Sequence, residues 1–204
     1  MSPILGPVLG DGARMVWRRI LVLVCAVMLA GCLPVTSKAP VGTTTGLGAD
    51  KALVGAWKGN NPGGKDFYFV HFLANEDGGM KAVIVSNGGG DDVTILRVQT
   101  AKLGKNHYLN AVLLLDNDKP VEGAMKFATI PLRYVEKHSR LMLYMLDQDK
   151  VKAAIRAGKL KGTIEEGTMG DAVITEEAAT LDAFFAKPEG AALFTPYKVM
   201  WKVE

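Results

Sequence analysis

A mainly β (α+β) domain is the fold class this sequence predicts: an antiparallel meander closing into a barrel, with two short helices before its last strand. Three observations predict it. Short runs rich in β-branched and aromatic residues recur through residues 51–146, each bounded by Gly, Asn, Asp or Pro; this reads as successive hairpins. Two stretches between residues 149 and 188 carry helical spacing with capping and stop residues,. Residues 197–203 (YKVMWKV) then alternate strictly, the period of a strand with one buried face. Seven or more strands must manage their edges by closing or by pairing into two sheets. A β-sandwich is therefore the alternative.

The chain opens on a leader pattern. Arg18 and Arg19 precede ILVLVCAVML, residues 20–29, an uncharged apolar run. A membrane-spanning helix needs roughly 20 apolar residues, whereas a run of this length behind a basic pair fits the h-region of a signal peptide. It ends in Leu29-Ala30-Gly31-Cys32, which resembles the lipobox of bacterial lipoproteins. That resemblance implies cleavage before Cys32, diacylglycerol on its thiol and acylation of the new amino terminus. Residues 1–31 are then the signal peptide, and residues 1–14, with Pro3, Pro7 and Asp11, read as an over-called translation start. Removing residues 1–31 lowers the net charge from +3 to +1, too little for the basic face that nucleic acid requires. Cys25 leaves with the leader, so the mature chain holds one thiol and can form no internal disulfide.

Residues 33–50 (LPVTSKAPVGTTTGLGAD) show neither helical nor strand periodicity. With Cys32 they are expected to form a flexible linker, since such a composition buries too little to offset its ordering entropy. The folded domain is expected over residues 51–204. Strands are expected at 52–57, 65–73, 80–86, 93–103 and 106–115, and a further pair at 125–134 and 141–146. Pro131 marks the first of that pair as an edge or bulged strand. Asp149 is positioned to cap a helix at 150–157 that Gly158 stops, and Thr175 one at 176–186 that Pro188 ends,. In the last strand, Tyr197, Val199, Trp201 and Val203 are expected inside, with Lys198, Met200 and Lys202 outside. That strand is expected to pair with residues 52–57 and close the sheet. Gly55-Ala56-Trp57 resembles the G-x-W that opens lipocalin-type barrels, which implies that Trp57 packs across a closed end.

The chain as a whole resembles small, uncharacterised, β-rich lipoproteins of Gram-negative bacteria, and no activity transfers from those. Its residues nominate no chemistry. His71, His107 and His138 are widely spaced and form no zinc-type pair,; His71, among aromatics, reads as a barrel histidine. Ser37, Ser86 and Ser139 fall in linker or turns, with no base to activate them. Asn87-Gly88-Gly89-Gly90 leads into a strand, not into the helix that a phosphate loop needs. Asp116, Asp118 and Glu122 lack the ligand and turn glycine of a calcium loop, because Pro120 and Val121 stand there,. Glu165, Glu166 and Asp171 read as loop charge. No catalytic set, metal site or cofactor site is nominated.

Two strands are apolar on both faces: Phe67, Phe69 and Leu73 back Tyr68, Val70 and Phe72, while Leu109, Ala111, Leu113 and Leu115 back Tyr108, Val112 and Leu114. A barrel strand facing water alternates, so both second faces need cover. The function expected is that of a lipid-anchored envelope protein in the outer membrane, facing the periplasm, whose β-domain is an interaction or assembly module without catalysis. The alternative is a lipocalin-like carrier of a small apolar or lipidic ligand. The partners implied are the membrane, through lipid on Cys32, and either an envelope protein or that ligand.

Overall fold

The computed structural model describes residues 34–60, 66–87, 93–116, 119–123, 128–164 and 172–203. Residues 1–33, Cys32 among them, and Glu165, Glu166, Asp171, Asp118 and the Gly88–Gly90 run lie outside them. Eight antiparallel strands close a barrel in pure meander order: β2 (Gly55–Asn60), β3 (Phe67–Ala74), β4 (Met80–Ser86), β5 (Val93–Leu103), β6 (Asn106–Asp116), β8 (Ile130–Lys137), β9 (Arg140–Leu146) and β12 (Phe194–Lys202). A two-residue β7 (Lys119–Pro120) folds back on β6. This is the lipocalin-like barrel that the strand spacing implies. Gly, Asn and Asp punctuate the chain where it turns. Asp77 accepts the Gly79 N–H in the β3–β4 turn. The β8–β9 turn sets His138 and Ser139 at φ 53° and 59°, the paired left-handed geometry of a two-residue hairpin.

Closure comes from β12, which joins β9 on one side and β2 on the other, with Met200 opposite Gly59 and Lys202 opposite Trp57. Its facing is the reverse of the one read from alternation. Met200 is wholly buried, whereas Tyr197 and Trp201 are half exposed. Lys198 and Lys202 face inward by register, opposite Leu143 and Trp57. A register shift between Pro196 and Lys198 marks an irregularity in this strand, and lysine stems lie readily along apolar surface. Lys202 Nζ sits 5.3 Å from the Trp57 ring centroid, and Lys198 Nζ 4.9 Å from that of Tyr68.

Residues 34–50 are not a flexible linker; the folded unit starts at Pro34. Val35 and Val41 are buried, and β1 (Thr36–Ser37) pairs with β11 (Ala172–Ile174), itself paired with β10 (Gly162–Ile164), in a small second sheet. The Asn110 side chain brackets Val41, accepting its N–H and donating to its carbonyl. The buried Asp182 carboxylate accepts the Gly42 and Thr44 N–H groups and the Thr44 hydroxyl. Gly42, at φ 93°, lies so close to Ala101 that a Cβ there would stand 2.1 Å from the Ala101 Cβ. Thr43–Thr45 turn as one 3-10 helix, and Gly48 then bridges Thr100.

The excursion before β12 holds α1 (Gln148–Arg156), α2 (Ala178–Phe185) and the short α3 (Pro188–Ala191). Asp147, not Asp149, caps α1, accepting the N–H groups of Asp149 and Lys150. Neither Thr175 nor any other side chain caps α2; its first flanking residue is Glu177. Pro188 opens α3, where its missing N–H costs nothing,. Val151, Leu181, Phe184 and Phe185 pack with Tyr108, Leu146 and Phe194 into a second core outside the barrel. The outer face of β6 is thereby covered at Tyr108, while Leu114 further along the same face stays 40% exposed. Pro131 sits beyond the last β8–β9 pair, where only β6 lies beside it.

Inside the barrel, Trp57 is fully buried, and its indole N–H donates to the Leu53 carbonyl at 2.7 Å. Trp57→Ala is expected to lower stability by about 3–5 kcal/mol, as a truncation that leaves a large cavity. Urea melts check it; a loss under about 1 kcal/mol would show that the ring does not carry the core.

Candidate functional site

The inward positions fall into two zones. Trp57, Phe72, Met80, Val98, Leu109, Leu141 and Met200 are buried and pack around the equally buried Leu53. The chain leading into β2 therefore closes that end, as the G-x-W resemblance implies. Towards the opposite end, where β2 and β4 finish and β5 and β8 begin, the inward residues are different. Ile84, Leu96, Leu113, Ile130, Leu143 and Met145 are each only partly buried, and all but Leu113 still pack against the barrel core. Their registers, Ile84 opposite Val70, Leu96 opposite Ala82 and Leu113, Ile130 opposite Ala111 and Leu143 opposite Tyr134, fix them on the inner face. The inner face at that end of the barrel is therefore less buried than at the Trp57 end.

Two polar groups meet at its edge. Tyr68 faces inward from β3, and its phenol tip lies over Gly59, where a Cβ would stand 2.3 Å from Cζ and Oη. The Tyr68 hydroxyl is buried and has no hydrogen-bond partner among the described residues. Desolvation, with a smaller contribution from nearby Tyr197, pushes its pKa up to about 12, so it stays a donor at every physiological pH. Lys198 lies two residues before Met200 on the inner face of β12, its Nζ 4.9 Å from the Tyr68 ring and 5.5 Å from that of Tyr197. Thr94 and Thr195 add half-buried hydroxyls at inward positions nearby.

The residues singled out in the sequence are not brought together. His71 is exposed on the outer face of β3 and is not a barrel-interior histidine. His107 lies edge-on to the Tyr134 ring at 5.5 Å, and His138 stands in the β8–β9 turn. Asp116 accepts a hydrogen bond from Thr94. Among the described residues no group of His, Cys, Asp and Glu could hold a metal ion, and no helix is long and apolar enough to cross a membrane. A second pocket of about 470 Å³ lies by the closed end, between Asp50, Lys105, His107 and Glu136. Its Tyr134 hydroxyl donates to Asp50 at 2.6 Å, and burial first, then that bond, pushes the phenol pKa upward.

Sequence reasoning missed the Tyr68–Lys198 pair, because Lys198 was placed on the solvent face. The outer face of β3–β5, by contrast, keeps the apolar character that the sequence shows: Phe69 pairs with Val85 and Val85 with Val93, while Val83 pairs with Ile95. Leu73 and Val85 are each 41% exposed there. Compared with protein-family models, curated proteins and solved structures, the chain has no match.

Proposed function

We propose that this protein is a bacterial envelope lipoprotein, acylated at Cys32 in the outer membrane and facing the periplasm, whose barrel carries a small apolar or lipidic ligand. It is a binder, not an enzyme. The incomplete burial of one end of the barrel supports the reading: six inward aliphatic or methionine side chains there are less buried than those around Trp57. The Leu29–Cys32 box behind its apolar run supports the anchor. Only Leu33 lies between Cys32 and Pro34, the first residue of the folded unit, so a lipid on Cys32 would leave only a short tether before the folded chain begins.

A second reading, docking on an envelope protein, rests on the outer face of β3–β5, where Leu73 and Val85 are exposed among the described residues. Exposed apolar patches of this kind mark interaction surfaces.

Native mass spectrometry of the full chain, purified from membranes into lipid nanodiscs, tests the primary reading. Two results are expected: a covalent diacylglyceryl and acyl increment on a chain beginning at Cys32, absent in Cys32→Ser, and a non-covalent adduct of a small amphiphile. An unmodified Cys32 overturns the anchor. A protein without adduct, after challenge with apolar ligands, overturns the carrier and leaves docking.

A further inference from the structure

We propose that the outer surface of the barrel's closed end holds a binding site for a phosphate ester borne on a ring, received by Lys137, His138 and Arg140 beside the face of Trp201. The site is a cavity of about 300 Å³ lined by these four residues and Met142. It lies on the outside of the barrel and is independent of what the interior carries.

Strand register builds it. Lys137 stands opposite Arg140 in the β8–β9 hairpin, and Arg140 stands opposite Trp201 on β12. The three form one row across the outer face, on strands about 4.8 Å apart, so one small molecule can reach them all. The Lys202 N–H donates to the Ser139 carbonyl at 2.8 Å, which ties the end of β12 to the turn. Met142, two residues beyond Arg140, shares its face. Met142 and Trp201 give the cavity an apolar floor, and the three basic side chains give it a rim. Trp201 is 51% exposed, and a half-exposed indole presents a π face on which a ring can stack.

Two features are unfavourable for the hairpin by itself. Like charges directly opposite in a sheet repel, and Lys137 with Arg140 is such a pair. The turn also holds His138 and Ser139 at φ 53° and 59°, a geometry that Asn-Gly adopts with less strain. It thereby sets a third basic group on the rim. Residues 130–146 include one acid, Glu136, and its place opposite the buried Leu141 turns it to the inner face. An anion between Lys137 and Arg140 offsets the repulsion and accepts from both, and such charge-assisted bonds are the strong ones. Three basic groups around so small a space suit a phosphate monoester, with nearly two charges, better than a carboxylate with one. The arginine fork also matches phosphate oxygens. The floor then selects what bears the phosphate. Inorganic phosphate leaves Trp201 and Met142 uncovered, whereas a ring covers them. A nucleotide and a sugar phosphate share that chemistry.

Isothermal titration calorimetry of the full chain in phosphatidylcholine nanodiscs tests it. Adenosine monophosphate and glucose phosphate are compared with adenosine, glucose and inorganic phosphate. At least one ester is expected to bind about tenfold more tightly than both its neutral ring and inorganic phosphate, what one charge-assisted bond or one stacked ring delivers. Its affinity should fall as salt rises, because the cations are exposed,. The better ester identifies the source, nucleotide or saccharide. Arg140→Gln and Trp201→Ala should each weaken it about tenfold. Arg140→Gln should also leave the melting temperature unchanged or raised, since the repulsion with Lys137 is gone; a lowered one would mark a structural arginine and overturn the assignment. Inorganic phosphate binding as tightly as both esters would reduce the site to a bare cation cluster and overturn it too. So would the absence of binding by either ester, or binding undiminished in Arg140→Gln.

Discussion

A fragment starting at Lys51 is expected to show no cooperative unfolding transition, whereas one starting at Pro34 keeps it. Residues 34–50 supply Val35 and Val41 to the outer core, each worth about 1.5–3 kcal/mol of burial. The larger loss is polar. Without Gly42 and Thr44, the Asp182 carboxylate, 3% exposed, loses its donors. Leaving a buried charge uncompensated costs about 3–5 kcal/mol. Asn110, also 3% exposed, loses both bonds to Val41, at about 1–3 kcal/mol for each orphaned group. The sum reaches the whole stability of a typical domain, about 5–15 kcal/mol. Circular dichroism with urea melts of the two fragments decides it. Equal midpoints would show that the segment merely rests on the surface.

Deleting residues 197–204 is expected to turn the barrel into an aggregating open sheet. The deletion removes Met200 from the core together with the β12–β2 pairs made by Met200, Trp201 and Lys202, and it strips β9 of its pairs from Leu143 to Arg140. Two unpaired edges then face each other across a gap, and such edges recruit other chains. Size-exclusion chromatography should show oligomers, and thermal melts no native transition. A monomer with an unchanged melting temperature would refute closure by β12.

What was legible in the sequence is local. β4 and β5 fall on the expected residues 80–86 and 93–103 because turn residues stand directly outside β-branched runs. The pairing of the first and last barrel strands followed from the need to remove both edges, and it holds between β12 and β2. What was not legible depends on partners distant in the chain. Residues 36–48 look like a tether because Thr, Gly and Pro bring no apolar periodicity; their fixing groups, Asn110 and Asp182, stand 69 and 140 residues away. The facing of β12 was misread for another reason. Alternation specifies two faces but not which is inner, and hydropathy assigns Tyr and Trp to the core. Near the seam with β2, aromatic rings instead receive lysine ammonium groups, and the fully buried member of the strand is Met200. The lesser burial at one end of the barrel followed from neither pattern, since inward aliphatic residues read alike at both ends.

The pairing of β12 with β2, and of Gly42 with Asp182, also sets when this molecule can fold. These contacts join opposite ends of the chain, so the entropy of closing the longest loops must be met before either contributes. The hairpins from β3 to β6 form from neighbours, but none of them seals a barrel. Until the last strand arrives, β2 and β9 keep one side unpaired, and residues 36–48 have no α2 to bind. Native structure is therefore a late event, reserved for the completed chain. A polypeptide whose distant segments must meet before it can lock becomes a rigid barrel only once its last strand has been added.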